Sequence, residues 1–63
     1  MLIIGCKHRA NSYSAINAVR KHTGKSLLES KRLIESVMEG KTVELPDDFV
    51  LREDLEDANF LVA

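Results

Sequence analysis

The chain has 63 residues, 44% of them hydrophobic and 30% charged, with a net charge of −1 at pH 7. That length accommodates one domain, residues 1–63; a domain this short buries only about 60% of the surface its unfolded chain exposes, which leaves little room for a deep substrate cavity. The composition excludes a disordered chain, and the single cysteine, Cys6, excludes an intrachain disulfide, so the fold does not depend on an oxidising compartment.

Leu2, Ile3, Ile4 and Cys6, broken by Gly5, form a short β-branched apolar run that predicts a buried strand. The run is too short for a signal peptide or a membrane span, and a cytoplasmic protein is expected. Lys7 to Asn11 reads as a loop. Asn11 or Ser12 can cap a first helix, with Ala15, Ile16, Val19 and Thr23 on its apolar face and Asn17, Arg20 and Lys21 on the other. Gly24 stops it, because glycine reaches the left-handed conformation without strain.

Ser26-Leu27-Leu28-Glu29 fits a capping box for a second helix, in which Ser26 bonds the NH of Glu29 and Glu29 reaches back to the NH of Ser26. Leu27, Leu33, Ile34, Val37 and Met38 form its expected apolar stripe; Lys31, Arg32, Glu35 and Glu39 form the solvated side, and Gly40 closes it. Lys41 to Leu45 alternates like a half-buried strand, ended by Pro46. Asp47 or Asp48 caps a third helix, whose apolar line Leu51, Leu55 and Ala58 is widened by Phe49 and Val50. Asn59 suits a left-handed stop, and Phe60-Leu61-Val62 makes the last strand. The expected fold is α+β, in the order β-α-α-β-α-β, with a three-stranded sheet and three helices on one face. The other sheet face stays open unless a partner covers it, so a monomer or a weak homodimer is expected.

The chemistry-bearing patterns are sparse. Gly24-Lys25-Ser26 ends like a phosphate-binding loop, but Val19 stands where that loop needs its first glycine. Cys6, His8 and His22 are scattered over different elements without zinc-ligand spacing, and His22 reads as a surface residue at the end of the first helix. Cys6 reads as inert packing, no Ser-His-acid set is arguable, and Glu53, Asp54, Glu56 and Asp57 read as a solvated helix face. Neither an enzyme nor a bound cofactor or metal is expected. The charge distribution is lopsided: residues 1–28 carry Lys7, Arg9, Arg20, Lys21 and Lys25 with no acid, whereas residues 42–63 carry seven acids and one Arg52. Such a distribution can steer binding.

Val19-Arg20, Thr23-Gly24, Leu27, Glu29, Lys31, Leu33, Ile34 and Glu35 match, at the same spacing, a pattern of Val-Arg, a Thr-Gly turn and a helix reading Leu-x-Glu-Ala-Lys-x-Leu-Val-Glu. With Leu55-Glu56-Asp57-Ala58 before the last strand, the chain resembles, from about Leu2 to Val62, the C-terminal domain of the bacterial ribosomal stalk protein. That family has the same element order and contacts elongation and initiation factors through its first two helices. The resemblance therefore implies a partner-binding surface on the helix pair, with Arg20 and Lys31 matching its basic residues. Ser12 and Asn17 stand where the family has lysines and Ser26 where it has glycine; Lys21, Lys25 and Arg32 offer compensating charge. The family's N-terminal dimerisation domain and hinge have no counterpart in these residues.

The expected function is a stand-alone protein-interaction module. It presents Arg20, Lys21, Lys25, Lys31 and Arg32 to a translational GTPase or another host factor, as a bacterial or phage-encoded regulator. Core and turn residues match in any relative sharing a fold, and an adaptor of a bacterial AAA+ protease shares this one with a different task. The alternative is a nucleic-acid-binding protein using the basic N-terminal half, for which Tyr13 is the one nearby aromatic.

Overall fold

The computed structural model describes residues 1–63 as six elements: β1 Leu2–Cys6, α1 Ser12–Thr23, α2 Leu27–Met38, β2 Val43–Glu44, α3 Phe49–Asp57 and β3 Phe60–Val62. The fold is α+β. The strands form one antiparallel sheet in the order β2-β1-β3. The helices occupy one face: α2 packs over β1 and β2, α3 over β3, and α1 against both other helices.

The sheet positions the core through its register. Ile3 pairs with Val43 on one side and Val62 on the other, and all three turn toward the helices. Between Ile3 and Gly5 the pairing slips: β1 advances two residues while β3 advances one, from Val62 to Leu61. This β-bulge makes Ile4 the extra residue and resets the alternation. Ile3 and Cys6, three apart, therefore share the helix face, and Cys6 lies half-buried against the core opposite Phe60. Leu2, Ile4 and Leu61 remain exposed on the open face.

The core is aliphatic with one aromatic: Ile3, Ala15, Ala18, Val19, Ile34, Val37, Leu45, Leu51, Leu55, Ala58 and Phe60. Full burial of a Leu, Ile, Val or Phe side chain stabilises by roughly 1.5–3 kcal/mol, so single truncations here are felt by the whole domain.

Helix ends follow local chemistry. Asn11 caps α1, its side-chain oxygen accepting from the Ser14 NH, and Ser12 lies inside the helix. Gly24 ends α1 in the left-handed conformation (φ 73°), its NH returning to the Arg20 carbonyl. Ser26 caps α2 by accepting the Glu29 NH, but the reciprocal half of the box is different. Glu29 Oε1 accepts the Ser26 hydroxyl at 3.2 Å rather than the Ser26 NH. Asp48, not Asp47, caps α3, taking the Leu51 NH at 3.0 Å. Asn59 is left-handed (φ 67°) as its side chain permits.

Three sequence expectations are corrected. The second strand is shorter than Lys41 to Leu45, because Gly40 (φ 96°) and the Lys41 NH, bonded to the Ser36 carbonyl, still belong to the end of α2. The buried line of α2 is Ser30, Ile34 and Val37, which rotates Leu27 and Met38 to its exposed edge. On α3, Phe49 and Val50 do not widen the core line; both are exposed, since Leu51 and Leu55 alone aim the helix inward.

Ser30 is fully buried and its hydroxyl has no hydrogen-bond partner. It stands where the stalk-like pattern has alanine. Replacing it with alanine removes an unpaired buried polar group and favours the helix. Ser30→Ala is expected to stabilise by about 1 kcal/mol, read as a higher urea midpoint at unchanged slope.

The Met1 ammonium closes the sheet at its other end, donating to the Leu45 carbonyl at 2.8 Å and to Asp47 Oδ1 at 2.6 Å. That ammonium holds the Asp47 carboxyl below its ordinary value of 3.8, first by the hydrogen bond and then by charge. A lowered folded-state value means the contribution is present at neutral pH and is lost as pH falls below 3.8. In the 63-residue chain, Asp47→Asn is expected to remove part of the acid-side loss of stability, checked by urea unfolding at a series of acidic pH values.

Candidate partner-binding surface

The five basic residues singled out by the sequence lie on the α1–α2 hairpin, but they do not form one cluster. Arg20 and Lys21 are adjacent in the last turn of α1 and diverge by about 100° around it. Lys21 lines a groove between α1 and α3, together with Asn11, Ser14, Asn17, Asp54 and Asp57. Arg20 lies off that groove on the exposed side of α1. Lys25 is half-buried in the turn, its NH held by the Thr23 hydroxyl, which itself donates to the Val19 carbonyl at 2.6 Å. Lys31 and Arg32 are exposed on α2, one turn beyond the exposed Leu27 and Leu28 respectively. The structure thus groups Arg20, Lys31 and Arg32 with the outer surface of the hairpin, places Lys25 at its tip, and assigns Lys21 to the α3 side.

Folding does segregate the charges. From Ser12 to Met38, the five cations face only Glu29 and Glu35, while α3 carries Glu53, Asp54, Glu56 and Asp57 against Arg52. Because α1 lies between α2 and α3, the acidic helix is on the far side of α1 from Lys31 and Arg32.

The pairing of these groups is unequal. The ion pairs are Met1 with Asp47 and His22 with Asp54, with a longer approach of His22 to Asp48; none involves a lysine or arginine. Four carboxylates are engaged within the fold. Asp47 holds the ammonium, Asp48 caps α3, Asp54 takes His22, and Glu29 accepts from Ser26. The side-chain cations of the hairpin are free.

His22 corrects the sequence reading of a surface histidine. Its side chain is only 13% exposed, with Nε2 2.9 Å from Asp54 Oδ2 and Nδ1 3.9 Å from Asp48 Oδ2. It clasps the C-terminal end of α1 to the middle of α3. At the other end of the same pair, the Asn11 NH donates to the Ala58 carbonyl. The two helices are therefore antiparallel and fixed at both ends. Sequence reasoning missed this clasp because its partners are 32 residues apart and neither belongs to a local motif.

The groove between α1 and α3, of about 370 Å³, is open and lined by polar and charged residues together with Ala18 and Ala58. No His, Cys, Asp and Glu side chains gather there or elsewhere in a group of three suited to a metal ion. No helix is long and apolar enough to cross a membrane. The chain matches no family model, no curated protein and no solved structure.

If the clasp orients α3, its two members are energetically coupled. A double-mutant cycle with His22→Ala and Asp54→Ala is expected to give a coupling of about 1 kcal/mol at neutral pH. Additive effects in urea unfolding would show that the contact does not hold the helices.

Proposed function

We propose that this domain is a protein-interaction module that presents the outer surface of the α1–α2 hairpin to an acidic surface on a partner protein. The observation that carries the reading is the unequal pairing: Arg20, Lys25, Lys31 and Arg32 have no carboxylate partner, and Lys25, Lys31 and Arg32 border the exposed apolar Leu27 and Leu28. Unmatched charge beside apolar area suits a protein partner, since charge guides encounter and orientation while apolar anchors hold the complex.

The stalk-like pattern names a translational GTPase as the first partner class to test, with another host factor as the wider class and regulation of that factor as the outcome of binding. Arg20 and Lys31, the positions that match the pattern's basic residues, are both exposed. The pattern's two other lysines correspond to Ser12, half-buried in the first turn of α1, and Asn17, on the α3 groove. The recognition surface is thereby centred on the hairpin tip rather than on the start of α1.

A nucleic-acid reading draws on one specific observation, the exposure of Tyr13 on the basic half of the chain. A single stacking aromatic with no second one on the same basic surface favours it less than the protein reading.

Titrating isotope-labelled domain with purified elongation factors is expected to shift amides within residues 12–35, with the Arg20→Glu/Lys31→Glu variant binding at least about tenfold more weakly while remaining folded. Unchanged affinity for the charge-reversed variant would remove the hairpin surface as the binding site.

A further inference from the structure

The open face of the sheet lies opposite the helices and takes no part in the hairpin surface. Along β1 it carries Leu2, Ile4 and Gly5, with Leu61 of β3 paired beside Gly5 and Glu44 of β2 paired beside Leu2. Leu2, Ile4 and Leu61 are 40%, 50% and 38% exposed, while Ile3, Cys6, Val43 and Val62 turn to the core. Lys7 continues the ladder, its NH donating to the Asn59 carbonyl at 2.8 Å. Alternation after the core-facing Cys6 puts Lys7, which is exposed, on the open face.

Gly5 has no cause inside the chain. Its φ is not positive, so neither a left-handed turn nor a glycine-type bulge requires it. A Cβ at this position would meet only Leu61 Cδ1, at 3.7 Å, an ordinary van der Waals contact. Glycine inside a strand weakens it, and where neither conformation nor internal crowding asks for one, it marks the close approach of something from outside. Gly5 leaves a dent in the apolar face, with Ile4 beside it along the strand and Leu61 as one wall.

Charge and symmetry decide what fills the dent. On the open face Glu44 stands at the Leu2 end of β1 and Lys7 at the other end. Asp47, near the Leu2 end, is already paired with the Met1 ammonium. Glu56 and Asp57, close to the Lys7 end in the chain path, belong to α3 on the helix side of the sheet. A second copy laid face to face with its β1 reversed brings each Glu44 to the strand end that carries the other copy's Lys7. The two-fold axis of that arrangement passes between Ile4 and Gly5, midway from Leu2 to Lys7, so each Ile4 falls on the other copy's Gly5. One symmetry operation therefore satisfies both the dent and the charges, and two-fold contacts are the commonest way a chain associates with itself.

We propose that the open sheet face docks a second copy of this chain, with the two sheets stacked, Ile4 of each copy seated on Gly5 of the other and Glu44 of each facing Lys7 of the other. The face spans three strands at ~4.8 Å spacing and about five residues at ~3.4 Å, roughly a few hundred Å². That is less than the ~800 Å² per partner of a standard interface, so the dimer is weak and half-forms at ~0.1–1 mM chain. The helices lie on the far side of the sheet, which leaves both hairpins facing outward.

The test follows the 63-residue chain, with Cys6 kept reduced, by sedimentation and by amide shifts over a dilution series from about 1 mM to about 20 μM. The sedimentation coefficient is expected to rise with concentration, and the amides of Leu2, Ile4, Gly5, Lys7, Glu44 and Leu61 are expected to move while those of α1 and α3 stay. Ile4→Lys, at an exposed position, should weaken association at least about tenfold with the folded spectrum retained. Gly5→Ala, for which the chain itself has room, should unfold at no lower urea concentration and yet associate several-fold more weakly. Lys7→Glu and Glu44→Lys should each weaken association by about threefold or more, and their combination should restore it. A chain that stays monomeric at about 1 mM, concentration-dependent shifts confined to the helices, Gly5→Ala dimerising like the parent, or a charge-swapped double variant no stronger than the single ones would each overturn the proposal.

Discussion

Ile3 sits at the centre of the middle strand with Val43 and Val62 across from it, and the helices close over that aliphatic row. A sheet of three short strands offers one layer of such contacts and no more. Two helices reach that layer directly, α2 over β1 and β2 and α3 over β3, and α1 packs against both of them. The small side chains of Ala15, Ala18, Ala58 and Ser30 at the buried positions are what allow the close approach. The β-bulge at Ile4 serves the same end. It adds Cys6 to the core side of a strand whose plain alternation would have turned it outward.

A core this small leaves the outer edges of the helix layer to polar contacts. The Met1 ammonium closes β1 onto Leu45 and Asp47, Arg52 reaches the Val62 and Ala63 carbonyls, and His22 ties α1 to α3. Such contacts contribute modestly one by one, but they fix angles that a slippery aliphatic interface leaves open. The His22 clasp has the largest geometric consequence. By pairing His22 with Asp54 it fixes α1 antiparallel to α3, so that two helices far apart in sequence pack as one layer.

The elements that were legible in the sequence are those whose causes are local. Gly24, Ser26 and Asn59 each act through their own backbone or a neighbour within three residues, and each behaves as its residue type requires. The order β-α-α-β-α-β followed from periodicity for the same reason. What periodicity could not supply was rotation. On α2, Leu27 and Met38 fit an apolar stripe as well as Ser30 does not, yet packing against α1 and β1 chose the line through Ser30. On α3, Phe49 and Val50 fit a core line that Leu51 and Leu55 already satisfy. Among the basic residues, adjacency in sequence suggested that Arg20 and Lys21 act together, whereas the helical turn of about 100° per residue sends Lys21 to the acidic groove. The bulge and the His22 clasp depend on partners far along the chain and left no local trace.

The misfit residues are informative because they all fall in first turns of helices. A sequence that only had to fold would place its spare apolar side chains at random on the surface, where single exposed hydrophobes are ordinary. Here Leu27 and Leu28 open α2, and Phe49 and Val50 open α3. Lys25, Lys31 and Arg32 beside the α2 start have no carboxylate partner, whereas the α3 start lies beside Asp47, Asp48, Glu53 and Asp54. The two apolar helix starts therefore differ in the charge that surrounds them. A partner that brings carboxylates and apolar anchors together gains from both features at once, whereas one that brings charge alone leaves the apolar area in water. Under the proposed reading, selectivity comes from that combination rather than from the cations or the exposed side chains separately.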